Sequence, residues 1–523
     1  VYTNTIQIRE DNVDVLLSAD GKLSDKFTGN FSAGANHLNR KEEILAAEGF
    51  NLNIYGIYNI FNASLVYPQN TTTRKQLNSV YFSGQLGYND YLYLDVNGRN
   101  DWSSTLYPGD VSFMYGSASA SFIFTDAFKL QSDILSFGKL RASYGSAGND
   151  AAPYQTMIGY GLAPSSYNGQ RMISIASVVP NTNLKNELKT SFEIGTELRM
   201  FDNRLNLDFS YYNANSKNQI LDADLSAGTG FLSRVINAGV INNKGIELLI
   251  NAVPLKAKDF IWQTTINFSR NRSVVKELAP DLGINNIYLI SGGGVGTIGI
   301  EARAGELYGN IVGYKYKRAP DGQKLLSNEG TFQREDTTAI LGNIQPDFLA
   351  GFTNTFSYKG FTLSGLIDIR KGGQVFSNSK AMQFNAGTSI LTENGDNLIA
   401  DGVIQAADGS YQKNTKVVGR MQYYTAMSWG DIAEEFVLPA DYVSLRELTF
   451  GYDIGRLFNK SVFRTLKLSL VGRNLLYLYR HPQFKAMGIS PESAYGPFTV
   501  AQGYESPGGP TTRSLGVNLG ITF

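Results

Sequence analysis

Apolar and polar side chains alternate along most of the chain. Between residues 91 and 99, for example, Leu92, Leu94 and Val96 alternate with Tyr93, Asp95 and Asn97. Alternation with a period of two is typical of β-strands that have one apolar face and one polar face. The pattern predicts about fifteen such strands, at 13–19, 27–35, 81–88, 91–99, 113–124, 139–144, 191–200, 205–213, 246–250, 260–268, 352–358, 361–369, 448–454, 466–470 and 513–523.

The predicted connections between these strands alternate between short and long. Those after odd-numbered strands are short, at about 20–26, 89–90, 125–138, 201–204, 253–259, 359–360 and 455–465. Those after even-numbered strands are long, at about 36–80, 145–190, 214–243, 270–347, 371–443 and 475–512, except for 100–112. Outer-membrane barrels have short periplasmic turns and long outer loops, and about 9 to 11 residues per strand cross the bilayer. The chain is therefore predicted to be all-β and to form a transmembrane antiparallel β-barrel, with a soluble β-rich protein as the alternative.

The composition is compatible with such strands and argues against several other classes. The 46 basic and 46 acidic side chains balance, and no long run of one sign occurs, so nucleic acid is not a predicted partner. The absence of cysteine excludes a disulfide scaffold and thiolate metal sites. The 30 Tyr, 30 Phe and 54 Gly suit strands with one apolar and one wet face, and no apolar stretch is long enough for a membrane-spanning helix.

The sequence contains only weak matches to the motifs of enzyme active sites. The segment 294–299 fits G-x-G-x-x-G but lacks the βαβ context of a dinucleotide site, which favours a loop. His37 and His481 stand far apart without a zinc-ligand pattern. No nucleophile motif is visible. Neither an enzyme nor a cofactor or metal site is predicted, and the acidic pairs are interpreted as solvated surface: Glu42 with Glu43, Asp222 with Asp224, and Glu434 with Glu435.

Aromatic residues in the predicted outer loops are the candidate ligand contacts. Flat aromatic faces beside polar donors can hold sugars or peptide side chains by stacking and desolvation. Alternatively, these residues pack the loops together or form an interfacial aromatic girdle. The candidates are Trp102, Tyr107, Tyr423, Tyr424, Trp429, Tyr479, Phe484 and Tyr495, with the two tryptophans favoured.

Several segments are similar to recurrent stretches of one protein family. The segments 139–149 (KLRASYGSAGN), 237–247 (NAGVINNKGIE), 346–354 (PDFLAGFTN), 472–475 (GRNL) and 490–492 (SPE) resemble the SusC/RagA family of TonB-dependent transporters. The matches occur in family order from about residue 90 to the end of the chain. Each motif alone is short, but together the motifs identify the chain as a member of that family.

The resemblance implies an architecture and a function. The family has a 22-stranded barrel, a plug domain inside it, an N-terminal TonB box and a SusD-like lipoprotein that closes the outer mouth. Residues 1–523 are then expected to be the C-terminal part of the barrel, in a protein whose plug and TonB-binding part are not in this sequence. The terminal Phe523, on the lipid-facing parity of its strand, resembles the C-terminal signal for barrel insertion.

The implied function is TonB-dependent import of a large nutrient. A glycan or an oligopeptide would cross the bacterial outer membrane with the help of a SusD-like surface lipoprotein and the TonB complex. A structural or adhesion barrel, which binds ligands through its loops without transport, is the alternative.

Overall fold

The computed structural model describes residues 1–168, 170–291, 298–428, 431–457, 465–492, 503–505 and 511–522. Within these residues, fifteen strands follow one another in sequence order through the main sheet. This confirms the predicted all-β class and the strand number. The strands are β1 (Tyr2–Lys22), β2 (Phe27–Leu52), β3 (Ala63–Tyr88), β4 (Leu92–Ser103), β5 (Ser112–Ile123), β6 (Leu135–Asn149), β7 (Glu187–Met200), β8 (Leu205–Asp224), β9 (Ser233–Lys256), β10 (Phe260–Glu277), β11 (Phe348–Tyr358), β12 (Phe361–Lys371), β13 (Tyr442–Asp453), β14 (Thr465–Arg480) and β15 (Ser514–Thr522).

The chain divides into two compact units. The first comprises Val1–Lys129, Lys139–Ile194 and Ala214–Val240, and the second comprises Leu130–Gly138, Gly195–Asn213 and Ile241–Phe523.

In the first unit, β1 to β5 pair with their sequence neighbours in antiparallel fashion. The predicted hairpin between β3 and β4 is confirmed, but its connection is 89–91, one residue longer than predicted. Tyr88 pairs with Leu92, and Asn89 and Asp90 have φ of 48° and 59°. Asparagine and aspartate tolerate this left-handed region better than other non-glycine residues do.

In the second unit, β10 to β15 also pair in sequence order. The predicted two-residue turn between β11 and β12 is confirmed, because Tyr358 pairs directly with Phe361. Its residues Lys359 and Gly360 both have positive φ, 45° and 91°, which is the geometry that two-residue hairpins require.

Two predicted loops are wrong in extent. Most of 36–80 belongs to β2 and β3, which leaves only 53–62 between these strands, and 214–243 shrinks to 225–232 between β8 and β9. The alternation fades at 36–48 because Arg40, Lys41, Glu42 and Glu43 put charge on both faces. Cross-strand pairing nevertheless continues, since a strand in water needs no apolar face.

The other long connections contain small sheets and helices. Four strands form one small sheet, at Asn286–Ser291, Ile298–Arg303, Asn310–Tyr316 and Arg334–Asn343. Shorter strands lie at Tyr160–Tyr167, Gln170–Ile175, Val178–Val179, Leu325–Leu326, Gln374–Ser377, Asn397–Leu398, Val403–Gln405, Tyr411–Lys413, Val418–Gly419, Val437–Pro439 and Tyr504–Glu505. The α-helices are α1 (Phe124–Ala127), α2 (Asn378–Ala386), α3 (Arg420–Ser428) and α4 (Pro482–Met487). None of the helices in the described part of the chain has the length and apolar character that crossing a bilayer requires.

One face of the main sheet is apolar and exposed in each unit. In the second unit, paired residues of five successive strands form a row of apolar side chains without a protein layer over it: Phe356, Leu363, Phe450, Leu470 and Val517. In the first unit, Val80, Phe82 and Val96 are likewise exposed. An exposed apolar surface of this extent is abnormal for a protein in water. We call this side of each unit the apolar face and the opposite side the polar face.

Candidate functional site

The polar face of the first unit carries a connected set of side chains around Arg99. Its Nε donates to Asp101 Oδ1 at 2.7 Å and its Nη2 donates to Ser79 Oγ at 2.8 Å. The Tyr115 hydroxyl donates to Asp101 Oδ2 at 2.7 Å. Strand register explains the cluster, because Ser79 pairs with Asp101, and Tyr81 and Tyr115 flank Arg99 on the neighbouring strands. Charge-assisted bonds of this kind are stronger than neutral ones, so they fix the guanidinium and the carboxylate in place.

Tyr81 extends this cluster, the Arg99 network, toward β1. Its ring lies 5.8 Å from the Arg99 guanidinium carbon, and its hydroxyl donates to Asp14 Oδ1 at 2.7 Å. The ring crosses β2 at Gly34, where a Cβ would lie 2.6 Å from the ring. The network thus joins carboxylate, hydroxyl and guanidinium groups of β1, β3, β4 and β5. Asp101 and Ser79 are buried within it, so a polar solute could reach only its exposed or partly exposed members, such as Asp14 and Arg99.

Gly34→Ala should lower the free energy of unfolding, because the added methyl group collides with the Tyr81 ring and with the Val15 carbonyl oxygen, 2.8 Å away. Overpacking of this kind costs about 1–3 kcal/mol. Thermal unfolding of the protein in detergent measures the loss. Gly21→Ala is the matched control, since a Cβ at Gly21 meets no atom within 4 Å. Equal unfolding temperatures of the two variants would contradict the placement of Tyr81.

The two predicted aromatic contacts of the first unit lie in different settings. Trp102 shares its strand parity with Val96, and its side chain is exposed on the apolar face. This position fits the alternative interpretation, an interfacial aromatic girdle, better than ligand contact. Tyr107 lies in the connection after β4 and is also exposed, so it stays a candidate.

In the second unit, the long connections pack around a buried apolar core, which we call the loop core. Its largest members are Phe376, Phe384 and Phe436, with Ile300 and Ile311 from the small four-stranded sheet. Phe384 and Phe436 lie edge to face at 5.7 Å between ring centres. The long connections are therefore folded substructures with an interior of their own.

The loop core corrects two predicted ligand contacts. Tyr424 is 4% exposed and packs edge to face on Phe384, while its hydroxyl donates to the Leu391 carbonyl oxygen at 3.1 Å. Phe484 has no exposed surface and packs in a smaller cluster with Val375 and Leu438. At 4% and 0% exposure neither ring presents a face on which a ligand could stack, and both residues pack inside the protein.

Of the remaining aromatic candidates, some lie within the described residues and some do not. Tyr423 is partly buried at the margin of the loop core, 5.2 Å from the Phe332 ring, and Tyr479 is exposed on β14. Both stay candidates. Trp429, Tyr495 and the proposed assembly residue Phe523 lie outside the described residues.

An ion pair with a buried lysine joins the elements of the loop core. Lys380, on α2, is 1% exposed; its Nζ donates to Glu435 Oε1 at 2.8 Å and to the Glu435 carbonyl oxygen at 2.6 Å. The Tyr316 hydroxyl donates to Glu435 Oε2 at 2.8 Å. The interpretation of Glu435 as solvated surface is therefore wrong. Glu434 pairs with Arg318 at 2.8 Å in a contact that stays partly exposed.

Burial and pairing act on these groups in opposite directions. Burial lowers the pKa of Lys380, and the neighbouring Glu435 carboxylate opposes that effect. Burial alone would raise the pKa of Glu435, but Lys380 and the Tyr316 hydroxyl outweigh it and hold that pKa below its usual range. Burial is also the main reason why the pKa of Tyr316 is raised. The carboxylate is therefore ionised at neutral pH and serves as the acceptor that joins α2 to the small sheet.

The family-like segments place charged residues in contacts between elements. Glu492, from the segment 490–492, accepts from Arg446 and from the Tyr477 hydroxyl, and Arg446 Nε also donates to Asp368 Oδ2 at 2.8 Å. Arg473, from 472–475, pairs with Glu447 at 3.0 Å. Glu492 thus anchors the last long connection to the main sheet, whereas Arg473 and Glu447 join β14 to β13 within the sheet. Within the described ranges, no group of three or more His, Cys, Asp or Glu residues could hold a metal ion.

Comparison with known proteins gives one consistent result. Residues 2–475 match the family model described as TonB dependent receptor-like, beta-barrel. TonB-dependent receptor P3 of Formosa agariphila is 26% identical over 520 residues, which are 94% of this chain and 50% of that protein. TonB-dependent receptor SusC of Bacteroides thetaiotaomicron is 22% identical over 333 residues, which are 60% of this chain and 30% of that protein. The chain spans about half the length of receptor P3.

A solved structure shows the same fold. A chain of the RagAB peptide transporter superposes with a TM-score of 0.74 and 17% identity, over 99% of this chain and 56% of that one. Together with the receptor relatives, this match confirms the SusC/RagA resemblance drawn from the sequence segments. The family model covers most of the sequence and describes receptors, not enzymes. The chain therefore belongs to the TonB-dependent receptor-like β-barrel family.

Proposed function

We propose that this chain forms the wall and the outer loops of a TonB-dependent importer in the bacterial outer membrane. The observation that carries the proposal is the family match over residues 2–475. It is supported by a main sheet whose exposed face is apolar and whose opposite face carries the Arg99 network. Lipid would contact the first face and water the second, as in barrels that enclose a polar interior.

The proposed cargo is a large nutrient, either a glycan or an oligopeptide. The Arg99 network supplies donors and acceptors that either class could use, and RagAB, which has the same fold, is a peptide transporter. A SusD-like surface lipoprotein and the TonB complex are the proposed partners. Tyr107, Tyr423 and Tyr479 are the described residues that we propose as ligand contacts, together with Trp429 and Tyr495.

Uptake by living cells tests the proposal. Cells lacking the gene should lose uptake of a labelled oligosaccharide or oligopeptide, and a plasmid-borne copy should restore it. A protonophore should abolish the restored uptake, because TonB-dependent transport needs the energised inner membrane. Uptake of all labelled substrates at wild-type rates without the gene, or uptake that is insensitive to the protonophore, would count against the proposal. Surface binding without any uptake would favour the adhesion barrel.

A further inference from the structure

The ammonium group of Lys324 lies against aromatic rings at the margin of the loop core. Its Nζ is 3.6 Å from the centre of the Tyr316 ring and 5.0 Å from the centre of the Phe332 ring. Cation–π attraction holds an ammonium in such a position. Among the described residues, no group accepts a hydrogen bond from this Nζ or forms an ion pair with it. The side chain is partly exposed, so its three N–H donors remain available to a group from outside the chain.

A second cation lies beside Lys324. Arg318 and Lys324 are partners in an antiparallel β-bridge, and like charges directly opposite each other destabilise such a pair. Arg318 Nη2 donates to Glu434 Oε1 at 2.8 Å and its Nη1 donates to the Gly322 carbonyl oxygen at 3.1 Å. A guanidinium has five N–H donors, and the Arg318 side chain is 40% exposed. We call Lys324 and Arg318 the basic pair.

The two glutamates of the loop core do not neutralise Lys324. Glu434 accepts from Arg318 through Oε1 and from the Tyr316 amide through Oε2, at 2.9 Å. Glu435 accepts from Lys380 and from the Tyr316 hydroxyl. Both oxygens of each carboxylate are therefore engaged by other donors.

Asp401 is the third carboxylate near Lys324. The Val403 amide donates to the Lys324 carbonyl oxygen at 2.9 Å, and Leu325 pairs with Val403, so Asp401 lies on the segment that runs beside Lys324. Asp401 is exposed and acts on the Lys324 charge only from a distance, without an ion pair between the two described side chains. The ammonium thus contacts aromatic rings and leaves this carboxylate free of it.

The electrostatic state of Lys324 favours an added negative charge. Burial lowers the pKa of Lys324, and the positive charge of Arg318 also lowers it, whereas Glu435, Glu434 and Asp401 act in the opposite direction. An anion bound between the two cations would favour the charged form of Lys324 and would reduce the repulsion within the basic pair. The basic pair is therefore suited to a carboxylate or sulfate group.

A partly exposed aromatic ring lies close to the basic pair. The Tyr423 ring is 5.2 Å from the Phe332 ring, edge to face, and Phe332 is also one of the rings that contact Lys324. Because Phe332 is buried, it fixes the spacing between the Tyr423 ring and the ammonium. Groups held in place in this way favour a ligand whose own groups have a fixed spacing. An acidic sugar meets that condition, since its acid group is attached to a ring with an apolar face, whereas an acidic peptide side chain rotates freely.

We propose that the basic pair binds the carboxylate or sulfate group of an acidic glycan while a sugar ring stacks on Tyr423. This inference rests on the proposed function and deepens it, because it selects one class of cargo and adds a charge requirement. Lys324 and the free N–H groups of Arg318 donate to the oxygens of the acid group. Asp401 repels a second acid group nearby and thereby limits the charge density of the glycans that fit.

Binding calorimetry on the full-length protein in detergent tests the inference. The probes are an oligogalacturonate, its neutral methyl ester, a sulfated galactose oligosaccharide and a glutamate-rich oligopeptide. Lys324→Met keeps an apolar side chain on the Tyr316 ring and removes the charge, so it should weaken binding of the acidic oligosaccharides at least about 10-fold. Lys324→Arg retains the charge and should stay within about 3-fold of wild type.

Asp401→Asn is the matched variant of opposite sign. It removes a negative charge from an exposed position beside the basic pair, so it should tighten binding of the acidic oligosaccharides by about 3-fold. The neutral methyl ester should bind the wild type and all three variants with equal, weak affinity. Because Asp401 is exposed, this variant tests the role of charge even where Lys324→Met lowers the amount of folded protein.

Three results would overturn the inference. The wild-type protein could prefer the methyl ester or the oligopeptide to both acidic oligosaccharides. Lys324→Met could bind the acidic oligosaccharides as wild type does, or Asp401→Asn could leave their affinity unchanged or lower it. Energised uptake of a neutral oligosaccharide or an oligopeptide alone would remove this inference and leave the proposed function intact. Absence of energised uptake of every probe would instead remove the proposed function.

Discussion

Val96→Arg should sharply reduce the amount of barrel inserted in the outer membrane. Val96 lies near the middle of β4 on the apolar face, 51% exposed, and it pairs with Gly84 and Ala118 on the adjoining strands. Its small neighbours leave an arginine side chain in contact with hydrocarbon. A lipid-facing arginine costs about 2–4 kcal/mol at the bilayer midplane. Heat-modifiable migration of outer-membrane fractions on gels measures the inserted fraction.

Asn97→Arg is the matched control. Asn97 follows Val96 directly but lies on the polar face, where its Nδ2 donates to Ser117 Oγ at 3.3 Å. An arginine there enters the aqueous side and replaces only a weak hydrogen bond, so the inserted fraction should stay close to that of wild type. Equal losses in the two variants would contradict the assignment of the two faces.

Lys380→Met should destabilise the loop core by about 3–5 kcal/mol. The substitution leaves the Glu435 carboxylate, whose side chain is 26% exposed in the pair, without its cation. Removing one partner of a buried ion pair typically costs about this amount. The Tyr316 hydroxyl would still donate to the carboxylate, and the positive charge of Lys324 would still act on it. Hydrogen exchange of the α2 amides, together with thermal unfolding in detergent, measures the effect.

Removing both charges should restore most of that stability. In Lys380→Met with Glu435→Leu both members of the pair are removed, and apolar replacements of a buried pair are often neutral. Wild-type hydrogen exchange in the Lys380→Met single variant would contradict a structural role of the pair.

Acidification provides an independent check of the same pair. Because the pKa of Glu435 is lower in the folded state than in the unfolded chain, its stabilising contribution is present above the ordinary carboxyl pKa of about 4.3 and is lost as the pH falls through the lower folded-state pKa. The wild-type loop core should therefore lose more stability on acidification than the double variant.

Sequence alternation carried most of the information about the main sheet. It predicted the two faces and the strand number, and it also contained the correct β3–β4 register, which the two-residue turn prediction missed. A two-residue turn would place Gln85 opposite Leu94, on one face. The observed connection of 89–91 pairs Leu94 with Leu86 and keeps apolar residues together. The apolar positions of β3 and β4, when the two strands are compared, predict the observed register.

Strand extensions beyond the membrane could not be predicted in this way. A strand that has water on both faces carries no alternation, so 36–48 reads as a loop although it pairs with β3. The same limit applies to the loop core. The burial of Tyr424 and Phe484 and the ion pair of Glu435 depend on contacts between segments that are distant in sequence. Local composition cannot distinguish such a folded connection from a solvated loop.

Site-directed spin labelling along β4 tests the central claim most directly. The chain contains no cysteine, so single cysteines at positions 92–101 can each carry a nitroxide label in reconstituted bilayers. Accessibility to oxygen should be high at Leu94 and Val96, and accessibility to a water-soluble nickel complex should be high at Asp95, Asn97 and Arg99. Alternation of the two reagents with a period of two is the predicted result. Two results would contradict the claim that lipid contacts one face of these strands and water the other. The nickel complex could reach both sets of positions equally, or oxygen could be excluded from the apolar positions.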